Sequence, residues 1–301
     1  MAACGRRDSQ FLDKTSHVFS ILKGETVSSQ SPLAHRVVLI TQGIELVENQ
    51  PQFFGICSGV ILSRRIVLTA AHCLTAGVQN MKIILNANPR LSHKIENDEY
   101  TVLDSSINSK YNSAKNKKSL NQLKKNHDLA LLFVDRDFKN SDESMEPSFP
   151  FKLSPLPSEL NSEDVQLVIT GFGKTSSLKD TSKIPFDELN GNLKKATLSA
   201  AVAQVEKNYF ALSQKNAAGV CFGDSGGPVF IEDAGRYSLF AIAIGIFQIS
   251  KENLNSQPKT DLNNECAGYG LYLNLHFYKK WILDTMIELE KAHESLATNP
   301  I

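Results

Sequence analysis

Short apolar runs rich in β-branched residues recur along the chain, with turn residues between them about every eight to twelve positions. They fall into two zones separated by a less regular middle. The first zone holds the runs 36–44, 55–62 and 65–70, and the second holds 165–173, 196–205 and 237–247. Runs of this length and spacing are typical of β-sandwiches and β-barrels, so the pattern predicts an all-β protein with two β zones.

Two further patterns interrupt or end this arrangement. Apolar residues return at helical spacing within 278–293 (Ile282, Met286 and Leu289), which predicts an amphipathic C-terminal helix. Pro147, Pro150, Pro155 and Pro157 lie close together in the middle of the chain. Because proline cannot donate a hydrogen bond to a sheet, this cluster predicts a linker rather than a central strand.

Composition and charge argue against several classes of partner. The chain of 301 residues is 42% hydrophobic, and its 32 basic residues balance 32 acidic ones, so no net field would attract nucleic acid. The lysine-rich stretch 110–126 has no acidic residue, and we interpret it as a solvated loop rather than a docking patch for an acidic partner. The longest apolar run, 239–247, is far shorter than the roughly 20 residues that span a bilayer. We therefore expect no nucleic-acid partner and no transmembrane span.

The N-terminus of the given sequence leaves two interpretations open. It has no apolar signal core, yet Ala2, Ala3 and Cys4 are followed by polar residues. This arrangement is found at the end of a bacterial lipoprotein signal whose apolar part has been removed. Cys4 is therefore either a lipid anchor or an incidental cysteine at an arbitrary N-terminus.

The other cysteines, Cys57, Cys73, Cys221 and Cys266, form no C-x-x-C pair, and no histidine lies at a ligand-like offset from two of them. We therefore predict no metal site. Disulfides in an oxidising compartment explain these residues better, although the spacing leaves more than one pairing open.

The candidate chemistry centres on Ser225 in "GVCFGDSGGPVF" (219–230). A serine hydroxyl is a weak nucleophile unless a base lies within hydrogen-bond reach and a third group orients that base. His72 ends an apolar run in "LTAAHCL" (68–74), and Asp128 begins another in "NHDLALLFV" (126–134). These three residues are the candidates for nucleophile, base and orienting acid.

The motifs "TAAHC", "HDLALL" and "GDSGGP", in that order, resemble the three catalytic motifs of the chymotrypsin/trypsin family of serine endopeptidases. The order His, Asp, Ser is that of chymotrypsin and differs from subtilisins and α/β-hydrolases. The resemblance runs from about residue 21 to the C-terminal helix and includes "ITGFG" (169–173) and "GYGLY" (268–272). The expectation is a bacterial member of this family.

The resemblance implies two antiparallel six-stranded β-barrels of chymotrypsin type with a C-terminal helix. Residues 1–20 would be a propeptide or signal remnant. Residues 21–150 would form the first barrel, carrying His72 and Asp128, and 151–301 the second barrel, carrying Ser225, with the helix. Ser225 would attack the peptide carbonyl, His72 would act as base and Asp128 would hold the imidazole. Backbone N–H groups of Gly223 and Ser225 would form the oxyanion hole, with no cofactor or metal.

Other interpretations of these residues are weaker. Gly223, Ser225 and Gly227 also satisfy G-x-S-x-G, the nucleophile elbow of α/β-hydrolases. That motif needs a strand before the serine and a helix after it, whereas "SQKNAAG" precedes and Pro228 follows. A purely structural glycine turn would leave the contexts of His72 and Asp128 to coincidence. The remaining histidines weighed for catalysis are interpreted as bystanders: His35, His93, His127 and His276.

The resemblance also pairs the cysteines, Cys57 with Cys73 and Cys221 with Cys266. Each bridge would stabilise the fold by about 3 to 4 kcal/mol through the loop that it closes. It further assigns Asp224 the role of binding a new α-amino group, because "SILKGETV" (20–27) resembles the family's activation site. Cleavage after Ser20 would free the Ile21 ammonium, with a pKa near 8, to bind Asp224.

Specificity follows from the residues that the resemblance places in the S1 pocket, which holds the side chain before the cleaved bond. Gly219 stands where a trypsin-like enzyme has Asp, followed by Val220, and Gly270 lies on the opposite wall. An ungapped match of "AIAIGIF" places Ile244, Gly245 and Ile246 along the pocket, and Ile246 would narrow it for small or medium apolar residues. A shift of one residue would place Gly245 there and open the pocket.

The sequence therefore predicts a secreted, periplasmic or lipid-anchored serine endopeptidase that acts on protein or peptide substrates as a monomer. Two alternatives remain: a catalytically silent homologue that serves as a binding module, and an esterase that uses the same site.

Overall fold

The computed structural model describes residues 21, 24–47, 50–74, 77–89, 95–113, 126–139, 166–173, 192–199, 202–214, 217–247, 266 and 268–298. Several predictions fall outside these residues. They concern Cys4, His93, the proline-rich linker with the boundary at 150/151, and most of the lysine-rich stretch.

Short strands dominate the described chain, with one long helix at its end. The strands of the first half are β1 (Glu25–Thr26), β2 (Val37–Thr41), β3 (Gly43–Val47), β4 (Gln50–Phe54), β5 (Cys57–Ile61), β6 (Ile66–Thr69), β7 (Lys82–Ile84), β8 (Glu99–Ile107) and β9 (Ala130–Val134). Those of the second half are β10 (Gln166–Gly171), β11 (Lys194–Ser199), β12 (Val202–Val205), β13 (Tyr209–Ser213), β14 (Pro228–Asp233), β15 (Arg236–Phe247) and β16 (Tyr269–Asn274). Helix α1 spans Leu275–Thr298, and short 3-10 helices cover Pro32–His35, Ala71–Leu74 and Ile95–Asn97.

Six antiparallel strands of the first half close into a barrel in the order β2-β5-β6-β9-β8-β7. Strands β2, β5, β6 and β9 are buried along their whole length. This burial explains why they appear in the sequence as continuous apolar runs instead of alternating ones. Strands β3 and β4 form a separate hairpin. The predicted first barrel is confirmed.

The strands of the second half form one sheet of eight, in the order β1-β11-β10-β14-β15-β16-β13-β12. The prediction gave six strands here, and the described residues differ from it for two reasons. Residues 194–205 contain two strands, β11 and β12, where the apolar pattern indicated one, and they lie on opposite sides of the sheet order. In addition, β1 pairs with β11 through Glu25 opposite Lys195, so a short segment from the start of the chain joins the second sheet.

Helix α1 confirms the predicted C-terminal helix and extends it at both ends. The Asn274 side chain accepts a hydrogen bond from the backbone N–H of His276 (3.1 Å), which satisfies a donor of the first turn. The helix returns to the first barrel, where His293 Nε2 lies 3.2 Å from Asp104 Oδ2 on β8. The predicted apolar stripe of Ile282, Met286 and Leu289 is buried. Among the described helices, none combines the length and apolar character that crossing a bilayer requires.

Candidate active site

His72 and Asp128 meet because their strands are neighbours. His72 lies in the 3-10 turn after β6, and Asp128 lies just before β9, which pairs with β6 through Thr69 opposite Ala130. One carboxylate oxygen of Asp128 accepts a hydrogen bond from the backbone N–H of His72 (2.8 Å). The other lies 2.7 Å from His72 Nδ1. Two bonds to one carboxylate fix both the backbone and the ring of the histidine.

The surroundings of the two side chains differ in a way that suits a base and its orienting acid. Asp128 is almost fully buried, whereas the His72 side chain keeps 27% of its surface exposed. Burial lowers the pKa of His72, but the negative charge of Asp128 and its hydrogen bond outweigh that effect and raise the pKa above its ordinary value. A basic imidazole that is partly exposed can accept a proton from a nearby hydroxyl.

The loop that carries Ser225 is held against the first barrel beside His72. The Ser225 carbonyl accepts a hydrogen bond from the Ser58 N–H on β5 (2.8 Å), and Cys73 Sγ lies 3.8 Å from the same oxygen. The next residue, Gly226, has φ +80, and a Cβ there would meet Thr69 Oγ1 and come within 2.9 Å of Ala70 N. Only glycine allows this approach, which brings the three predicted catalytic residues into one region.

Ser58 supports this loop although the motifs did not single it out. It is fully buried on β5, and its Oγ donates to the carbonyl of Gly223 (2.9 Å) while accepting from the N–H of Phe172 (2.9 Å). Gly223 has φ +98, a conformation that favours glycine. One hydroxyl therefore holds the predicted oxyanion residue to both halves of the molecule. The available sequence signal was a serine within an otherwise apolar strand.

Both predicted disulfides are confirmed. Cys57 is bonded to Cys73 and Cys221 to Cys266, with Cα separations of 6.2 and 5.3 Å. The first bridge fixes the turn that carries His72, and the second fixes the segment before Ser225. The ligand atoms of Cys57, His72 and Cys73 lie within 4.8 Å of one another, but the disulfide leaves neither sulfur as the thiolate that a metal needs.

Asp224 occupies a closed polar site next to the serine. It is fully buried, and its two carboxylate oxygens accept hydrogen bonds from the N–H groups of Gly173 and Cys221 (both 2.8 Å). Burial raises the pKa of Asp224 from 3.8 to about 7, although these two hydrogen bonds lower it. Ile21 is also fully buried, in the apolar cluster that contains Ile169 and Val220. Ile21 therefore packs with residues that lie close in sequence to the two hydrogen-bond donors of Asp224, Ile169 near Gly173 and Val220 next to Cys221.

The residues expected in the S1 pocket divide between two clusters. Ile246 lies opposite Gly270 in the register of β15 and β16 and packs with Val220 in the smaller apolar cluster. Ile244 instead packs in the larger cluster of the first barrel and helix. Between them, Gly245 has φ +153 at the position where the strand register shifts. This register places Ile246, rather than Gly245, across from Gly270.

His127 contacts helix α1, although its sequence context was interpreted as that of a bystander. It has φ +36, and its Nδ1 lies 3.0 Å from the hydroxyl of Tyr278 in the first turns of α1. The same hydroxyl accepts a hydrogen bond from Asn208 Nδ2 (3.3 Å). Burial raises the pKa of Tyr278 to about 12, the Asn208 bond opposes this, and the charge of Asp128 adds to it. The residue before Asp128 is thus anchored by a neutral, buried phenol.

Replacing Tyr278 with Phe is expected to lower both stability and activity modestly. Losing one buried hydroxyl should cost about 1 kcal/mol of unfolding free energy. Because His127 leads directly into Asp128, kcat/KM should also fall by roughly two- to tenfold if the anchor positions that carboxylate. Urea denaturation and peptide kinetics measure the two quantities.

The matched control is Tyr100→Phe, which removes a buried hydroxyl that accepts from the N–H of Lys139 (2.9 Å) in the first barrel. It should lose similar stability with unchanged kcat/KM. Equal kinetic losses in both variants would show that Tyr278 has no positioning role.

Comparisons with known proteins identify the family. A model of the trypsin family matches residues 42–282, which is most of the chain. The chain therefore belongs to the trypsin family, and its all-β fold with a C-terminal helix agrees with that membership. The solved structure of human heparin binding protein superposes with a TM-score of 0.56 at 16% identity, covering 87% of this chain and 94% of that chain. A likeness at this identity supports the fold alone.

The curated relatives are proteases of insects. A CLIP domain-containing serine protease B15 of Anopheles gambiae is 26% identical over 250 residues, covering 78% of this chain and 62% of that protein. Chymotrypsin of Phaedon cochleariae is 25% identical over 215 residues (69% and 70%), and chymotrypsin-2 of Vespa crabro is 30% identical over 181 residues (58% and 71%). This chain thus spans less than two thirds of the first relative.

These relatives correct part of the sequence interpretation. The expectation of a bacterial member is not supported, and neither is a periplasmic or lipoprotein location, because these three relatives are insect proteins. The two disulfides are consistent with an extracellular compartment, where such bonds persist.

Proposed function

We propose that the chain is a serine endopeptidase in which Ser225 is the nucleophile, His72 the general base and Asp128 the acid that orients the imidazole. The observation that carries this proposal is the pair of contacts from the buried Asp128 carboxylate to His72 N and Nδ1. A carboxylate in this arrangement fixes the tautomer with its proton on Nδ1, so Nε2 carries the lone pair that accepts a proton. Nucleophilic catalysis by serine requires this state of the base.

The proposed mechanism is that of the family the chain belongs to. Ser225 Oγ attacks the peptide carbonyl as its proton passes to His72 Nε2. The resulting oxyanion accepts hydrogen bonds from the N–H groups of Gly223 and Ser225. His72 then donates the proton to the leaving amine, and water hydrolyses the acyl-enzyme with the same base. Removing one oxyanion donor from such a site typically costs about 10²- to 10³-fold in rate.

Activation by cleavage before Ile21 is part of the proposal. A positive φ is a strained conformation for a β-branched residue, and Ile21 has φ +36 while its side chain is fully buried. Cleavage would remove the carbonyl that precedes Ile21 and with it this constraint. The new ammonium would then supply the buried Asp224 carboxylate with a cation, since its two described hydrogen bonds come from neutral amides.

An S1 pocket without a charged residue completes the proposal. Gly219 carries no carboxylate to attract Arg or Lys. Ile246, opposite Gly270 and packed with Val220, narrows the space and adds an apolar wall. These residues support an uncharged side chain before the cleaved bond. The lipid anchor at Cys4 and the monomeric state remain expectations from the sequence.

A fluorophosphonate tests the proposal, because Ser225 Oγ would attack phosphorus and expel fluoride only if His72 accepts its proton. We expect a single adduct on Ser225 after cleavage before Ile21. The rate of labelling should fall as pH drops through the raised pKa of His72, above the ordinary value of 6.5, since protonation removes the base. Mass spectrometry of peptides across the pH range measures both.

The same experiment separates the alternatives. A processed chain that forms no adduct would favour a catalytically silent homologue that serves as a binding module. An adduct with turnover of activated esters but of no peptide would favour an esterase.

A further inference from the structure

The side chain of Gln214 occupies the place where two pocket glycines converge. Gln214 follows β13 and is 4% exposed. A Cβ on Gly219 would overlap Gln214 Cδ and lie 2.6 Å from its Nε2, and a Cβ on Gly270 would lie 2.5 Å from its Oε1. The space that side chains at 219 and 270 would fill is therefore taken by one carboxamide from a different part of the chain.

Hydrogen bonds hold this carboxamide in a single orientation. Gln214 Nε2 donates to the carbonyls of Val220 (2.9 Å) and Cys266 (2.8 Å), and Oε1 accepts from the Val220 N–H (2.9 Å). Both amide protons are thus used. A carbonyl oxygen has two lone pairs, so Oε1 keeps one acceptor site on the side of Gly270.

A second polar atom lies at the same place. The hydroxyl of Tyr272 is fully buried, has no hydrogen-bond partner among the described residues, and would lie 2.6 Å from a Cβ on Gly270. Burial raises the pKa of Tyr272 well above its ordinary value, and the charge of Asp224 raises it further, so the hydroxyl keeps its proton. A buried hydroxyl without a hydrogen-bond partner costs free energy. A ligand that accepts a hydrogen bond from it recovers this cost as binding free energy.

The walls around these two atoms are apolar. Ile246 faces Gly270 across the strand pair and shares a cluster with Val220 and Tyr272. The surroundings of Gly270 thus combine apolar side chains with one donor, Tyr272 Oη, and one acceptor, Gln214 Oε1.

We propose that Gln214 and Tyr272 form the floor of the S1 pocket and select a carboxamide, Gln or Asn, before the cleaved bond. A primary amide matches the floor because its oxygen can accept from Tyr272 and its N–H can donate to Gln214. Leu or Phe would leave the Tyr272 hydroxyl unpaired, and neither floor residue carries a carboxylate that could pair with Lys or Arg. This inference rests on the proposed function and replaces an entirely apolar pocket with one that has a polar floor.

The test is a series of peptides that differ only before the cleaved bond, with Gln, Asn, Leu, Phe, Ala or Lys. In the processed wild-type chain, kcat/KM should be highest for Gln or Asn. Tyr272→Phe should lower the ratio of kcat/KM for the Gln peptide to kcat/KM for the Leu peptide by about 3- to 10-fold, which is the effect of losing one neutral hydrogen bond. This variant breaks no described hydrogen bond, so its folding should be undisturbed. Tyr209→Phe, a buried tyrosine on the neighbouring β13, is the matched control and should leave the ratio unchanged.

Gln214→Met provides a second variant that keeps the length of the side chain and removes its amide. It should favour Leu over Gln, and the fluorophosphonate adduct on Ser225 reports whether it is folded. A wild-type preference for Leu, Phe, Ala or Lys would overturn the inference, as would an unchanged ratio in Tyr272→Phe, provided that Ser225 is labelled. No hydrolysis and no adduct in the processed wild type would overturn the proposed function itself.

Discussion

Ser225→Ala is expected to lower kcat/KM of the processed chain for a peptide substrate by on the order of 10⁴- to 10⁶-fold. The variant removes the only atom that forms the covalent intermediate, while Ser58 and Ala243 still hold the loop through backbone bonds at Ser225 and Gly226. Stability should therefore change little. Steady-state kinetics on a fluorogenic peptide and urea denaturation measure the two effects.

The partners of Ser225 should behave as one unit with it. His72→Ala should cost about as much as Ser225→Ala, and the double variant should lose little more, because neither residue acts without the other. Asp128→Asn would place an amide N–H₂ toward either the N–H or the Nδ1–H of His72, so it should also cost about 10⁴-fold. Ser109→Ala, at an exposed turn of the first barrel, is the control. Additive losses, or substantial activity in Ser225→Ala, would contradict the assigned roles.

The elements that could be predicted from the sequence are those that local patterns encode. Strands β2, β5, β6 and β9 are buried on both faces, so each appears as a continuous apolar run. Helix α1 keeps one buried stripe between Leu275 and Leu289. The motifs around His72, Asp128 and Ser225 each span only five or six residues, which is why the contact between His72 and Asp128 could be expected from the sequence.

The parts that could not be predicted depend on contacts between distant segments. Gln214 gives no motif, and its significance arises only when the fold brings it against Gly219 and Gly270. The pairing of β1 with β11 joins residues about 170 positions apart through two residues with no distinctive pattern. His127 was interpreted as a bystander because nothing in its local sequence indicates that the first turns of α1 would contact it.

Asp224→Asn is expected to abolish activation without preventing cleavage. In the proposed precursor, Asp224 is a buried acid whose pKa lies at about 7 instead of 3.8. A folded-state pKa that is raised this way means that its contribution to stability is fully present below about pH 4 and lost as pH rises to about 7. The shift in the pKa of Asp224 corresponds to a loss of roughly 4 kcal/mol of unfolding free energy at neutral pH. A nearby ammonium would offset this loss, so freeing Ile21 should stabilise the arrangement around Ser225.

Replacing residues 16–20 with Asp-Asp-Asp-Asp-Lys allows enteropeptidase to free Ile21 on demand. Cleavage should raise kcat/KM by at least about 100-fold, the scale of an oxyanion hole that becomes fully formed. The same cleavage in Asp224→Asn should leave the chain at the activity of the uncut form, because the amide cannot pair with the new ammonium. N-terminal sequencing confirms that both chains are cut.

The pH dependence of the unfolding free energy gives an independent test of the ion pair between the Ile21 ammonium and Asp224. In the Ser225→Ala background, which prevents self-cleavage, the uncut chain should lose unfolding free energy between about pH 4 and pH 7, and the cut chain should lose much less. Uncut Asp224→Asn should show no corresponding slope, whatever its absolute stability, since it has no proton to release. Full activity of the uncut chain, or equal pH slopes before and after cleavage, would exclude Asp224 as the partner of a freed Ile21.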